Sequence, residues 1–258
     1  MIESPCDPID RALARAVVYR TLSIGFQPPT EARLTQIGAR DGWPVVTAAL
    51  SRADPPDRSL ERAAARLASL SIAGVETLST TYWRLFGHTT RGLICACETE
   101  YGPDNGFHQP QQLADISGCY LAFGLRPVAA SEARADHIAC ECEFMDFLNR
   151  KEALLLTTDA RGVSDDETLA VTREAARTFL RNHLGRFGRA FASRVAAEDG
   201  DGYFGSLGHV LLAFVDAECA RAGIEGGPAD LTVRPESIDE TPMACGSADE
   251  LIQIQRRP

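Results

Sequence analysis

Apolar residues recur along this chain with the period of an α-helix wherever they have a regular period. Within residues 131–156, one helix face is marked by Ile138, Cys142, Met145 and Leu148, which follow an i, i+4, i+7, i+10 spacing. A long segment starting near Asp166 and a later one keep the same period, through Leu180, Leu184, Phe187, Phe191 and Val195 and then Phe204, Leu207, Leu211 and Phe214. No segment alternates convincingly as a strand, so the pattern predicts an all-α protein of about ten helices.

Capping and breaking residues predict where these helices start and stop. Asp7 followed by Pro8 and Asp10 predicts the start of the first helix, since it combines a capping side chain, a proline at the first position and an early acid. Thr30 predicts a second start. Residues 88–110 are rich in glycine and proline and predict a loop, and a loop of this length in a compact domain is usually functional or disordered.

The order of these segments predicts a single helical domain that divides into two lobes. The N-terminal lobe covers residues 1–124 and the C-terminal lobe residues 125–227, with a hinge near residues 125–131 that contains Pro127. The last segment, residues 228–258, holds four prolines, many acids and few large apolar residues. This composition predicts a poorly ordered tail.

Composition and charge narrow the class of partner. The 258 residues are 45 % hydrophobic and 24 % charged, as in soluble globular proteins, and the formal net charge is −10. A negative protein is a poor binder of nucleic acid and suits a basic partner. No apolar run approaches the roughly 18 residues that span a bilayer, and no secretory signal is visible, so we expect a cytoplasmic protein. The eight cysteines are expected to be mostly reduced core residues.

Candidate binding chemistry is concentrated in residues 82–145. The candidate client-binding residues are Tyr82, Leu85 and Phe86 at a helix end, Glu98, Glu100 and Tyr101 in the long loop, and Asp136, His137 and Glu141 near a helix start. Carboxylates bind arginine guanidinium groups through paired hydrogen bonds, and aromatic rings add apolar contact and cation–π attraction. This combination predicts an acidic, aromatic-edged cleft that holds another polypeptide.

Two other functions fit some of the same residues. Glu141 lies one helical turn after His137 and could raise the proton affinity of its imidazole, as in a small metal-dependent hydrolase. No nucleophile elbow, phosphate loop or metal-protease signature accompanies the pair, and the cysteine pairs are separated by one residue, which is atypical for zinc. We therefore expect no catalytic residue, metal or cofactor. A helical scaffold or accessory subunit of a redox complex is the other alternative.

Four short motifs, in this order and spacing, resemble the TorD/DmsD-like family of redox-enzyme maturation chaperones and, more distantly, the nitrate reductase assembly chaperones. The resemblance covers roughly residues 75–220. The motifs are Tyr82-x-x-Leu85-Phe86, Glu98-x-x-Tyr101, Leu113-Ala114-Asp115-Ile116 with Tyr120-x-x-Phe123-Gly124-Leu125, and Asp136-His137-Ile138 with Glu141-x-Glu143-Phe144-Met145. The chain departs from the family at Ala133-Arg134-Ala135, where Glu-Arg-Pro is common, and at Cys95 and Cys97.

The resemblance implies an all-helical cytoplasmic chaperone and not an enzyme. Its client would be a molybdopterin-containing oxidoreductase of the dimethyl sulfoxide reductase superfamily. Such chaperones bind the apo catalytic subunit or its twin-arginine leader until the cofactor is inserted. The resemblance also implies that Tyr82, Leu85, Phe86, Glu98, Tyr101, Asp136 and His137 line the leader-binding region. The sequence does not indicate which enzyme is the client.

Overall fold

The computed structural model describes residues 7–52, 58–87, 92–102, 108–126, 134–159 and 165–234. These residues form ten α-helices and no strand, which confirms the all-α prediction. The helices are α1 (Pro8–Gly25), α2 (Glu31–Gln36), α3 (Pro44–Leu50), α4 (Arg58–Ala68), α5 (Val75–Phe86), α6 (His108–Ala122), α7 (Ile138–Asp159), α8 (Asp166–Phe179), α9 (Gly185–Asp199) and α10 (Tyr203–Ala222). Among the described helices, none is both long and apolar enough to span a membrane.

The helix ends follow the capping signals of the sequence. The Asp7 carboxylate accepts a hydrogen bond from the Ile9 N–H at 3.0 Å, and Pro8 occupies the first helical position of α1. Thr30 caps α2 in the same way, since its hydroxyl accepts from the Arg33 N–H at 3.2 Å. α8 and α9 are joined by a π-helical turn, Leu180–Leu184, into the long helix that the sequence predicts from Asp166 onward.

Removing the first cap is expected to cost a modest amount of stability. Asp7→Ala leaves the Ile9 N–H without its side-chain acceptor and should lower the free energy of unfolding by about 1 kcal/mol. Urea titration followed by circular dichroism measures this loss. Asp7→Asn is the matched control, since its amide oxygen can still cap the helix. An equal loss in both variants would show that the cap is not the cause.

The two predicted lobes meet in one hydrophobic core. α1 lies along α7, and α9 lies along α10. Phe26, which directly follows α1, packs edge-on against Phe191 of α9 with ring centroids 5.1 Å apart, and Phe86 of α5 packs edge-on against Phe204 of α10 at 5.5 Å. Residues before position 124 therefore share buried contacts with residues after position 125. Most of the hinge expected at 125–131 lies outside the described residues.

The segment after α10 returns to the loop before α6. The Gly102 N–H donates to the Thr232 carbonyl at 2.9 Å, and the Arg234 N–H donates to the Glu100 carbonyl at 2.7 Å. Arg234 itself is buried. Residues 232–234, which lie within the tail that the sequence predicts from 228 onward, are thus hydrogen-bonded to the rest of the protein. Residues 235–258 lie outside the described residues.

Candidate functional site

A loop connects the candidate residues of α5 with those at the start of α7. The Ile94 N–H donates to the Leu85 carbonyl at 2.8 Å, which fixes the loop to the end of α5. The Glu98 N–H donates to the Asp136 carbonyl at 2.8 Å, which fixes it to the residues before α7. Residues 94–101 therefore lie between the two helices. Glu98 and Asp136, which are 38 positions apart in the sequence, are therefore neighbours in the fold.

The carboxylate of Asp136, just before α7, accepts hydrogen bonds from the loop and from Arg134. It is fully buried and accepts hydrogen bonds at one oxygen from the Thr99 N–H at 3.1 Å and the Thr99 hydroxyl at 2.8 Å. Arg134 donates to both Asp136 oxygens, each at 3.0 Å, in a bidentate pair. The same guanidinium reaches the Glu100 carboxylate at 3.1 Å. Two of the predicted acids are therefore bridged by one arginine of the chain itself.

Glu98 forms a second buried ion pair. Its carboxylate accepts from Arg186 Nε at 3.2 Å and lies 3.1 Å from His183 Nδ1. Burial alone lowers the pKa of His183, but its hydrogen bonds to Cys119 and Glu98 and the charge of Glu98 outweigh burial and raise the pKa to about 9. The imidazole is therefore protonated at neutral pH. Glu98 thus holds two cationic groups from the π-helical turn and the start of α9.

Glu141 is a buried carboxyl group of a different kind. It is fully buried, and neither of its oxygens makes a hydrogen bond within ordinary distance. Burial and the negative charges of Glu98 and Asp136 raise its pKa well above the usual value. The uncharged, protonated form of Glu141 is therefore favoured in the folded protein.

The His137–Glu141 pair on which the hydrolase alternative depends is not formed. Nδ1 of His137 accepts a hydrogen bond from the Ala139 N–H at 3.1 Å, so the ring caps the start of α7 instead of reaching down the helix. Burial lowers the pKa of His137 to about 4, in spite of the nearby charge of Asp136. The imidazole is neutral at pH 7. The physical reason is position, because α7 begins at Ile138 and His137 precedes its first turn.

The candidate aromatic residues belong to the core. Tyr82 and Phe86 are each 6 % exposed, and Leu85 and Tyr101 are fully buried. The Tyr101 hydroxyl donates to the Cys95 carbonyl at 2.7 Å. The structure therefore brings the candidate acids together but places these apolar residues beneath the surface. The exposed aromatic neighbour is Trp83, which packs edge-on against Tyr82 and is 37 % exposed.

Sequence reasoning missed the basic residues of the site. His183 and Arg186 are three residues apart, so they share a helix face between the apolar residues Leu184 and Phe187. Two basic residues beside an otherwise apolar helix face indicate buried acidic partners. The sequence alone therefore contained this information. The π-helical turn was not predictable. This turn brings Gly185 so close to the backbone of Leu180 that a Cβ atom on residue 185 would lie 2.4 Å from the Leu180 carbonyl oxygen.

The acids of the site hold guanidinium groups of the chain itself. They hold these arginines through charge-assisted hydrogen bonds, the strongest class in proteins. In the part of the chain that the structure describes, no three side chains of histidine, cysteine, aspartate or glutamate are grouped to hold a metal ion. The six described cysteines carry free thiols. This geometry supports recognition of a basic group.

Comparison with known proteins gives the family. Residues 53–193, more than half of the 258-residue chain, match the family described as nitrate reductase delta subunit. The chain belongs to this family. The nitrate reductase delta subunit family is a TorD-family group of molybdoenzyme assembly chaperones, which confirms the resemblance found in the sequence. The protein is therefore a chaperone of molybdoenzyme maturation and not a catalytic enzyme.

The matched range of the nitrate reductase delta subunit family contains every candidate residue from Tyr82 to Glu141. It also contains the basic residues Arg134, His183 and Arg186 that complete the site. Searches of the curated proteins and of the solved structures found no match.

Proposed function

We propose that this chaperone binds the twin-arginine leader or the apo form of a molybdopterin-containing oxidoreductase of the dimethyl sulfoxide reductase superfamily. It does so in the cytoplasm and releases its client once the cofactor is inserted. The observation that carries the proposal is the pairing of buried carboxylates with guanidinium groups: Asp136 holds Arg134 in a bidentate pair, and Glu98 holds Arg186. Family members bind nitrate reductase-type molybdoenzyme subunits, which supports a client of this class.

Binding of the leader proceeds by exchange of arginines in this proposal. The side chains of Arg134 and Arg186 are 32 % and 34 % exposed, whereas Asp136 and Glu98 beneath them are almost fully buried. A client arginine that replaces one of them remakes the same charge-assisted hydrogen bonds. The carboxylates are then never left buried without a partner, which would be strongly unfavourable.

The remaining candidate residues have supporting roles in the proposal. Tyr82, Leu85, Phe86 and Tyr101 form the apolar base of the site, and Glu100 shares the guanidinium of Arg134. His137 is neutral at pH 7, and burial favours the uncharged form of Glu141, so the charge of the site comes mainly from the other acids. The formal net charge of −10 attracts a basic leader over long range, and added salt screens this attraction.

Removal of an internal arginine is expected to tighten leader binding. In Arg186→Gln, a client arginine no longer competes with an intramolecular one for Glu98, and we expect roughly tenfold higher affinity, about 1.4 kcal/mol. The measurement is fluorescence anisotropy with a labelled peptide that carries two adjacent arginines followed by an apolar segment of about ten residues. His183 still pairs with Glu98 in this variant, which limits the loss of stability.

Two controls separate exchange from a simple change of charge. Arg181→Gln removes the same charge from an exposed position in the π-helical turn and should leave the affinity close to that of the wild type. A peptide with two lysines should gain less from Arg186→Gln, because lysine cannot form the bidentate contact. Equal affinities of all three proteins for the arginine peptide would exclude Glu98 from leader binding.

The scaffold alternative is kept because the family description names a subunit. A chaperone retains its partner only before the cofactor is inserted, whereas a permanent subunit also retains the mature partner. We expect the tagged protein to co-purify with a cofactor-free catalytic subunit and to lose it when cofactor synthesis is restored. Retention of a mature, cofactor-containing complex would support the scaffold role instead. Mass spectrometry of the captured partner identifies the client in either case.

A further inference from the structure

A cleft lies between α4 and α10, lined by residues other than those of the candidate functional site. It has a volume of about 950 Å³ and is open to solvent. This volume lies within the usual range of small-molecule sites. The cleft shares none of its lining residues with the candidate site described above, so the inference drawn from it does not rest on the proposed function.

The two helix faces that line this cleft carry both polar and apolar side chains. Arg62 and Arg66 lie one turn apart on α4, and Ser206 and His209 lie one turn apart on α10. Hydrogen-bonding groups of both helices therefore line the cleft beside the apolar residues Leu212 and Ala213.

Ser206 contributes a hydroxyl group to the lining of this cleft. Its side chain is fully buried, it lines the cleft, and its hydroxyl oxygen has no hydrogen-bond partner in the structure. A buried hydroxyl without a partner is unfavourable. A group bound in the cleft would supply the missing partner.

The charges of the cleft favour an anion. Arg62 donates to the Arg58 carbonyl at 3.1 Å and makes no ion pair with a carboxylate of the described residues. Arg66 pairs with Asp201, whose side chain is 93 % exposed, and such a pair is weak and exchangeable. The charge of Asp216 is already balanced by Arg189 at 2.6 Å. The cleft is therefore locally positive on an otherwise negative protein.

We propose that the cleft between α4 and α10 binds a small organic oxyanion. Its oxygens take hydrogen bonds from the guanidinium groups of Arg62 and Arg66, and the Ser206 hydroxyl completes the site. Phosphate and carboxylate groups share this chemistry, because both match the planar fork of arginine. The cleft is far larger than one such group, so the oxyanion belongs to a larger molecule whose remaining part contacts the small and hydroxyl-bearing side chains.

Titration with pyrophosphate and with citrate tests the proposal, with sodium chloride at equal ionic strength as the reference. We expect at least one of the two anions to bind the wild-type protein in calorimetry and to raise the pKa of the His209 imidazole in NMR spectra, since an anion beside the ring stabilises its charged form. Pyrophosphate alone indicates a phosphate ligand, and citrate alone indicates a carboxylate ligand.

Three variants locate the binding. Arg62→Gln combined with Arg66→Gln should weaken binding at least tenfold. Arg20→Gln combined with Arg181→Gln removes the same total charge elsewhere and should leave binding unchanged. Ser206→Ala should weaken binding several-fold without reducing the melting temperature of the unliganded protein, because the lost hydroxyl has no partner there. Absence of binding by both anions, or equal binding by the two double variants, would overturn the proposal.

Discussion

Replacement of Glu141 by glutamine is expected to stabilise this protein, and the gain is expected to grow as the pH rises. Burial and the neighbouring acids Glu98 and Asp136 raise the pKa of Glu141 in the folded state, whereas an unfolded glutamate ionises near pH 4.3, to within about one unit. Between these two pKa values the folded protein holds a proton that the unfolded chain has released. As the pH rises through this window, the free energy of unfolding therefore falls by up to about 1.4 kcal/mol per pH unit. Glutamine does not ionise, so Glu141→Gln removes this pH dependence.

Urea unfolding of the wild type and of Glu141→Gln at intervals from pH 4 to pH 9 measures the effect. The two proteins should be closest in stability at the acid end, where Glu141 is protonated in both states. The matched control is Glu143→Gln, which removes a carboxyl group from the same helix at a position whose side chain is 60 % exposed. Parallel pH profiles of the wild type and Glu141→Gln would contradict a buried, protonated Glu141.

Loss of the Asp136 carboxylate is expected to destabilise the fold strongly. Asp136→Ala removes the acceptor for the Thr99 N–H and hydroxyl and leaves Arg134 without its bidentate partner. Breaking a buried ion pair from one side costs about 3–5 kcal/mol. Calorimetry or urea unfolding at pH 7 should show a loss of this size, and Asp136→Asn should lose less because it keeps an oxygen for Thr99.

An exposed ion pair provides the comparison for Asp136. Asp201 pairs with Arg66 through a side chain that is 93 % exposed, so Asp201→Ala removes the same kind of contact with little burial. We expect its free energy of unfolding to stay close to that of the wild type. A loss in Asp136→Ala as small as that in Asp201→Ala would mean that the loop around Thr99 does not depend on the buried carboxylate.

Local patterns predicted the helices well because helix formation depends on neighbouring residues. The stripe from Ile138 to Leu148 and the caps at Asp7 and Thr30 all lie within one or two turns of what they specify. The long helix from Asp166 onward was also predictable from its period. These features need no knowledge of the tertiary fold.

The site was only partly predictable because its contacts join distant segments. The order of Glu98, Tyr101 and Asp136 indicated the family, but the pairing of Glu98 with His183 and Arg186 spans 85 and 88 positions. The hydrophobicity of Phe86 and Tyr101 is the same whether they face a groove or a core, so sequence could not decide their burial. In residues 232–234, composition predicted a tail, whereas backbone hydrogen bonds to Glu100 and Gly102 hold the segment in place.

The return of the chain to Glu100 through Arg234 has a practical consequence for engineering. The chain passes directly beside the acidic loop at Thr232 and Arg234. Removal of residues from 231 onward would strip two backbone contacts from that loop. Capture experiments should therefore carry their handle ahead of α1, where Asp7 is exposed.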